Sequence, residues 1–354
     1  MLVVEGAARQ LTRMNFQKTG PMRRRGLLKG GMAAAAGVLA MPALLRAQTR
    51  VIRFSHVAPD DSIKGLGARL FKQRIEERSE GRIQVEIFPD AQLVGDGEEM
   101  EALALGDVQM IAPSLSKFSR YAKRLQVFDL PYLFDSLAAL DRFEQSETGV
   151  ALRESMVRLG FVGLAYWRNG FKQLSAGKPL RHPDDARGLK FRIQDSPVIA
   201  RQFEILGAEP VAMEASRTRA ALAAGLVDGT ESTWSSLYLR RIHEVQAAVT
   251  ASDHGIMDDM VVVSTEFWQA LPEELRLLFN STMEDVRVEV AGLADRMNQE
   301  ARAAIRQGGQ TGLVTLTPAE RRAWSDRLRP VWTEFEEEIG RDLIQEALRA
   351  NDGG

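Results

Sequence analysis

The stretch Gly188–Pro197, GLKFRIQDSP, puts a guanidinium where it can meet an anion. Leu189, Phe191 and Ile193 alternate with Lys190, Arg192 and Gln194, the period of a strand with one apolar face and Arg192 on the other. Ser196 then suits an N-cap and Pro197 a first helical position, Ile199, Phe203 and Leu206 recur at helical spacing, and Gly207 offers a stop. Ligands of open α/β sheets collect beyond the carboxyl ends of strands, and helix N-termini favour anions. A guanidinium matches a carboxylate in bidentate geometry, so Arg192 is a candidate carboxylate anchor. The same pattern also fits an exposed or salt-bridged strand arginine that does nothing more.

Other chemistry finds little support. With no cysteine, disulfides, thiolate catalysis and cysteine metal sites are excluded. The four histidines, His56, His182, His243 and His254, lack the H-E-x-x-H spacing of a zinc site, so no metal is expected. There is no phosphate-binding G-x-x-x-x-G-K-[ST] loop and no G-x-S-x-G nucleophile turn, and Gly65-Leu66-Gly67 lacks the third glycine of a dinucleotide loop. The acidic pairs Glu98-Glu99 and Asp258-Asp259 read as solvated faces or helix starts, and His254 as a loop histidine satisfied by backbone. No catalytic residue and no cofactor is expected.

The first residues do not read as fold. Arg23, Arg24 and Arg25 precede a weakly apolar run from Gly30 to Leu45, with a plausible cleavage after Ala47, the layout of a signal peptide over residues 1–47. Arg24-Arg25-Gly26-Leu27-Leu28-Lys29 fits a twin-arginine address, which implies export to the periplasm; Met14 and Met22 are alternative starts. A membrane anchor is the rival, but the run is short for a hydrocarbon core of about 30 Å. Residues 1–47 hold eight basic residues and one acidic one, so their removal turns 46 basic and 48 acidic residues into 38 and 47, a net charge of −9. Such a chain is a poor partner for nucleic acid or an anionic membrane, and any anion it binds must meet a local basic site.

The elements needed to position Arg192 are those of an α/β fold. VIRFSHV reads as a strand, SIKGLGARLFKQRIEERSEG as a helix ending near Gly81, RIQVEIFP as an alternating strand, GEEMEALALG as a helix, and VQMIAP from Val108 as a short strand. This βαβαβ start predicts a mostly parallel sheet. A second α/β unit begins near FVGLAYW, and from Pro272 the pattern is nearly all helical, the longest stretch reaching about 50 Å, enough to cross two domains. Two domains without an evident linker imply that the chain passes between them more than once.

From Phe54 to about Pro272 the sequence resembles the solute-binding proteins of TRAP (tripartite ATP-independent periplasmic) transporters, in particular the C4-dicarboxylate branch. The resemblance is carried, in order, by RFSHVAPDDSIKG, GRIQVEIFPDAQLVGD, SKFSRYAKRLQVFDLPYLFD, WRNGFKQLSAGKPLRHPDDARGLKFRIQDSP, LGAEPV, GLVDGTESTWSSLYLRRIHEVQ and HGIMDDMVVVSTEFWQALPEELR. It implies a two-lobed periplasmic-binding-protein fold with a long bridging helix, lobe I formed by residues 48–169 and 258–297 and lobe II by residues 170–257 and 298–354. It also implies a receptor, not an enzyme, that closes by hinge motion on a small carboxylate and delivers it as a monomer to a TRAP permease.

By the same resemblance Arg192, the arginine of GLKFR, holds the ligand carboxylate, and Lys172 supplies a second basic contact. Ser232 stands where the family commonly has asparagine and can still donate one hydrogen bond. Trp234 is a pocket wall or a core residue, and Ser114 faces the cleft from the first lobe. Around AMEASRTRAAL the chain departs from the family: Ala215 removes a ring that normally rests on the ligand, and Arg217 brings positive charge, pointing to solvent or meeting a second acid. These departures imply room for a bulkier or more acidic carboxylate. A receptor that feeds a sensor kinase would share the same binding cycle, and the twin-arginine address alone would also suit an exported cofactor-dependent enzyme.

Overall fold

A computed structural model describes residues 49–353, and the expected signal peptide lies outside them. The strands are Arg50–Ser55 (β1), Ile83–Phe88 (β2), Met110–Ile111 (β3), Phe161–Phe171 (β4), Gln173–Ala176 (β5), Lys190–Ile193 (β6), Glu209–Ala212 (β7), Gly229–Ser232 (β8), Ala248–Ala251 (β9), Ile256–Ser264 (β10) and Gly312–Thr315 (β11). They form two sheets, ordered β2-β1-β3-β10-β4 and β11-β9-β5-β8-β6-β7. The helices are Ile63–Arg78 (α1), Glu99–Leu105 (α2), Leu137–Gln145 (α3), Glu147–Glu154 (α4), Pro197–Ile205 (α5), Thr218–Ala223 (α6), Trp234–Leu239 (α7), Thr265–Ala270 (α8), Glu273–Gly308 (α9), Pro318–Leu328 (α10), Pro330–Ile339 (α11) and Arg341–Arg349 (α12).

Local sequence accounts for most boundaries. In β2, Ile83 and Val85 are buried while Gln84 and Glu86 between them are exposed, as alternation requires. Ser62 caps α1 by accepting from Gly65 N at 3.1 Å, and the helix ends at Arg78, three residues before Gly81, which holds φ 75° in the tight return to β2. Ser196 caps α5 by accepting from Ile199 N, with Pro197 as its first residue. Gly207, at φ 72°, turns the chain toward β7.

The expected parallel start is present, β1 pairing in parallel with β2 and β3, but neither sheet is purely parallel. β10 runs antiparallel to β3 and β4, and β5 runs antiparallel to β8 and β9. The reason is connectivity: β4 leaves the first sheet and leads directly into β5 of the second, while β9 returns through residues 252–255 into β10 of the first. β11 is a strand that the helical pattern after Pro272 concealed; it pairs in parallel with β9.

Each sheet has a hydrophobic core on both sides, giving a two-lobed α/β molecule. One face of the first sheet meets α1 and the front half of α9 through Phe54, Phe71, Trp167, Phe279, Met283, Val286 and Val290. The opposite side packs Phe128, Phe134, Phe143 and Tyr166 together. α9 spans 36 residues, about 54 Å. Its far end places Ala301 and Ile305 against Trp234 and Leu237 beside the second sheet, so one helix joins both cores. Val331, Trp332, Leu343, Ile344 and Ala347 of the last two helices belong to the core beside α3, on the first-sheet side. Among the described residues, no helix is long and apolar enough to cross a membrane.

Candidate functional site

β6 pairs with β7 on one side and β8 on the other, so Arg192 sits inside the second sheet, opposite Val211 and Thr230. Phe191 and Ile193 point into the core with Phe203 and Trp324, which turns Arg192 to the opposite face. There it lines a cavity of about 330 Å³ between the two sheets, with Lys64, Asp96, Ser114 and Lys117 on the first-sheet side. Only 5% of Arg192 is exposed. Its Nε donates to the carbonyl oxygen of Met213 at 2.8 Å, and among the described residues neither terminal nitrogen has a hydrogen-bond partner or a carboxylate within 4.0 Å. Burial pushes its pKa down to about 10, against the pull of Asp96 and Glu231, so the guanidinium is charged at neutral pH. A buried cation held by one nitrogen, with the other two open to a cavity, has the geometry that can receive a planar oxyanion.

The other cations of the lining differ. Lys64 lies 2.9 Å from Asp259, both buried. Lys117 bonds Asp96 and reaches Glu99 at 2.7 Å; burial alone would lower its pKa, and these two carboxylates outweigh that and raise it. Arg120 pairs with Asp195 at the exposed rim. Arg240 also lines the cavity, half-buried, and its Nη2 donates to Val57 O at 3.3 Å from the far side of the cleft.

Bonds between the two sides close the rim. Gln194 donates to Ser114 Oγ at 2.6 Å. Asp129 accepts from Ser116 at 2.6 Å and Ser196 at 2.8 Å, tying the segment after β3 to the start of α5.

Of the residues singled out from the sequence, Arg192, Ser114, Ala215 and Ser232 line this cavity, and Ser232 is buried. Lys172, Trp234 and Arg217 do not. Lys172 is buried beneath the floor, its ammonium 2.8 Å from Glu231 Oε1. Trp234 packs in the core with Leu237, Ile242 and Ile305, Arg302 lying over its ring at 5.3 Å. Arg217 is exposed. Asp258 and Asp259 are buried, not solvated, whereas Glu98 and Glu99 stand at the start of a helix, α2, one of the two expected readings, with Glu99 buried. His254 is held by side chains, with Ser252 Oγ at 2.8 Å and Glu231 Oε2 at 2.9 Å. Lys64, Lys117 and Arg240 were missed; a lysine near a helix start or an arginine at a helix end has no periodic signature that separates cavity from solvent.

The comparisons with known proteins agree with this architecture. Residues 54–338 match the family model for bacterial extracellular solute-binding protein, family 7, named DctP, and the chain belongs to that family. It is 45% identical over 304 residues to the C4-dicarboxylate-binding periplasmic protein DctP of Shewanella loihica, covering 85% of this chain and 90% of that one. Among solved structures it is similar to a TRAP periplasmic solute-binding protein from Shewanella oneidensis with bound succinate, at TM-score 0.84 and 45% identity, covering 86% of this chain and 99% of the other. One from Pseudomonas aeruginosa PAO1 with bound L-malate gives TM-score 0.79 at 45% identity, covering 80% of this chain and 99% of that one.

Proposed function

We propose that this protein is a periplasmic receptor that captures an organic acid on Arg192 and hands it to a TRAP membrane permease. The single observation that carries the reading is the Arg192 fork: nearly buried, fixed through Nε, with both terminal nitrogens facing the cavity. The relatives with bound succinate and L-malate, at 45% identity, support a dicarboxylate of about that size. Ala215 and Ser232 contribute small side chains to the cavity lining on the second-sheet side.

Binding and closure form one process. The cavity takes residues from both sheets, so a ligand that touches both favours the closed arrangement. We place the hinge at residues 172 and 252–255, where the chain passes between sheets, with α9 running alongside. We take lobe I as residues 49–169 and 258–297 together with α11 and α12, whose packing on the first-sheet side supports that placement, and lobe II as residues 170–257 and 298–329. Export through the twin-arginine segment with cleavage after Ala47, a monomeric state and the absence of enzymatic activity complete the reading.

Titration calorimetry of the mature protein with succinate and L-malate tests it. Arg192→Ala is expected to weaken binding at least about a hundredfold, because it removes a charge-assisted pair and leaves the carboxylate buried without a partner. Unchanged affinity would overturn the assignment.

A further inference from the structure

Five cationic side chains line the cavity, and three are already matched: Lys64 by Asp259, Lys117 by Asp96 and Glu99, and Arg120 by Asp195. Glu231, which lines the floor, is matched from behind by Lys172 and His254. Among the described residues, only Arg192 and Arg240 face the cavity with no carboxylate within 4.0 Å. They come from different places. Arg192 rises from the middle of the second sheet, whereas Arg240 follows the last residue of α7 and reaches across the cleft to Val57, just past β1.

We propose that Arg240 is the second acid-binding residue of this cavity, selecting ligands that carry a carboxylate at each end, one on Arg192 and the other on Arg240. The inference rests on Arg192 as the anchor. Arg240 is held by a single long bond through Nη2, so its remaining N–H groups are open to the cavity. The two guanidiniums lie close enough for the charge of Arg240 to press down the pKa of Arg192. Two like charges in a partly desolvated cavity repel, and the repulsion is relieved most by a ligand with a negative group for each. A monocarboxylate leaves Arg240 with only the longer-range pull of Asp90 and Asp96, neither within 4.0 Å. Arg217, the other candidate for a second acid, is exposed and outside the lining. Because Arg240 also bonds Val57, the second carboxylate meets the lobes at their point of contact, so its binding and the seating of the lobes are linked.

Calorimetry on the mature chain separates this role from a structural one, with each diacid paired to the monoacid of the same length: succinate with butyrate, glutarate with pentanoate, adipate with hexanoate. At least one diacid is expected to bind the unmodified protein more than about a hundredfold tighter than its monoacid. Arg240→Gln should weaken that diacid at least about thirtyfold and leave the monoacid within about threefold, and Arg240→Lys should keep part of the preference. Failure of every diacid to outbind its monoacid overturns the proposal without any variant. A loss in Arg240→Gln that is equal for both acids, or no loss, also overturns it and assigns Arg240 to the contact with Val57 alone. Arg192→Ala reports separately on the anchor: if it binds both acids as before, the anchor reading fails, whatever Arg240 does.

Discussion

The Lys172 ammonium and the Glu231 carboxylate meet at 2.8 Å beneath the cavity floor, both side chains buried, with His254 Nε2 on the second carboxylate oxygen at 2.9 Å. Burial would raise the Glu231 pKa, but Lys172 and His254 outweigh it and hold it at about 2. Lys172 and His254 thus offset the charge of Glu231, which also acts on Arg192. Removing one partner leaves the other charge buried. Lys172→Met is therefore expected to cost about 3–5 kcal/mol of stability by urea denaturation. The double variant Lys172→Met with Glu231→Gln should recover part of that loss. If the single variant is as stable as the parent, Glu231 is not held by Lys172.

Trp234 tests the difference between core and wall. Its indole fills the space between α7, α6 and the end of α9, stacked under Arg302. Trp234→Ala should therefore cost about 3–5 kcal/mol through the lost burial and the cavity left behind. Ligand affinity, measured on the fraction that folds, should change by less than about threefold. A variant of parental stability with much weaker binding would return Trp234 to the pocket.

These two residues mark what was and was not legible in the sequence. The fold was largely legible because its signals are local: alternation in β2, the Ser196-Pro197 start of α5, and a 36-residue helix with apolar residues at helical spacing. Arg192 was legible for the same reason, since strand face and helix cap coincide within ten residues. Lys172 was not, because its partner is 59 residues away and reaches it only through the antiparallel register of β5 with β8, which sets Leu174 opposite Glu231. Arg240 and Arg241 are adjacent and alike in sequence. Only the end of α7 decides that the first faces the cavity while the second, at φ 54°, turns out to bond Glu244. The strand β11 was hidden by the helical text around it and exists because β9 offers an edge.

Asp258 and Glu144 form a buried acid pair where the chain leaves the first sheet. Asp258 Oδ1 accepts from Asn169 N at 3.0 Å and Gly170 N at 3.4 Å, at the end of β4, while Asp258 Oδ2 and Glu144 Oε1 of α3 are buried without a hydrogen-bond partner among the described residues. Arg168, Asp141 and Asp259 are the charged neighbours, Arg168 opposing and the two aspartates adding to the effect. Burial, reinforced by Asp259, pushes Asp258 up to about 7, and burial with Asp258 raises Glu144 as well, so the pair keeps a proton that the unfolded chain has already lost near pH 4. A raised carboxyl pKa favours the folded state fully below the unfolded value, and that contribution disappears as pH climbs to the folded value. Between pH 5 and 7 this group should thus remove about 2–3 kcal/mol, at about 1.4 kcal/mol per pH unit. The neutral imidazole of His56, held down to about 3 by burial, works in the opposite sense over the same range, so the total slope is smaller than either part. The clean comparison is with Asp258→Asn, whose amide oxygen can still accept from Asn169 and whose amine can donate to Glu144. Its urea midpoint, taken at pH 5, 6 and 7, should gain on the parent by about 1 kcal/mol per unit as pH rises. Parallel pH profiles for parent and variant would mean that both acids are ionised in the folded protein and that Arg168 carries the pair.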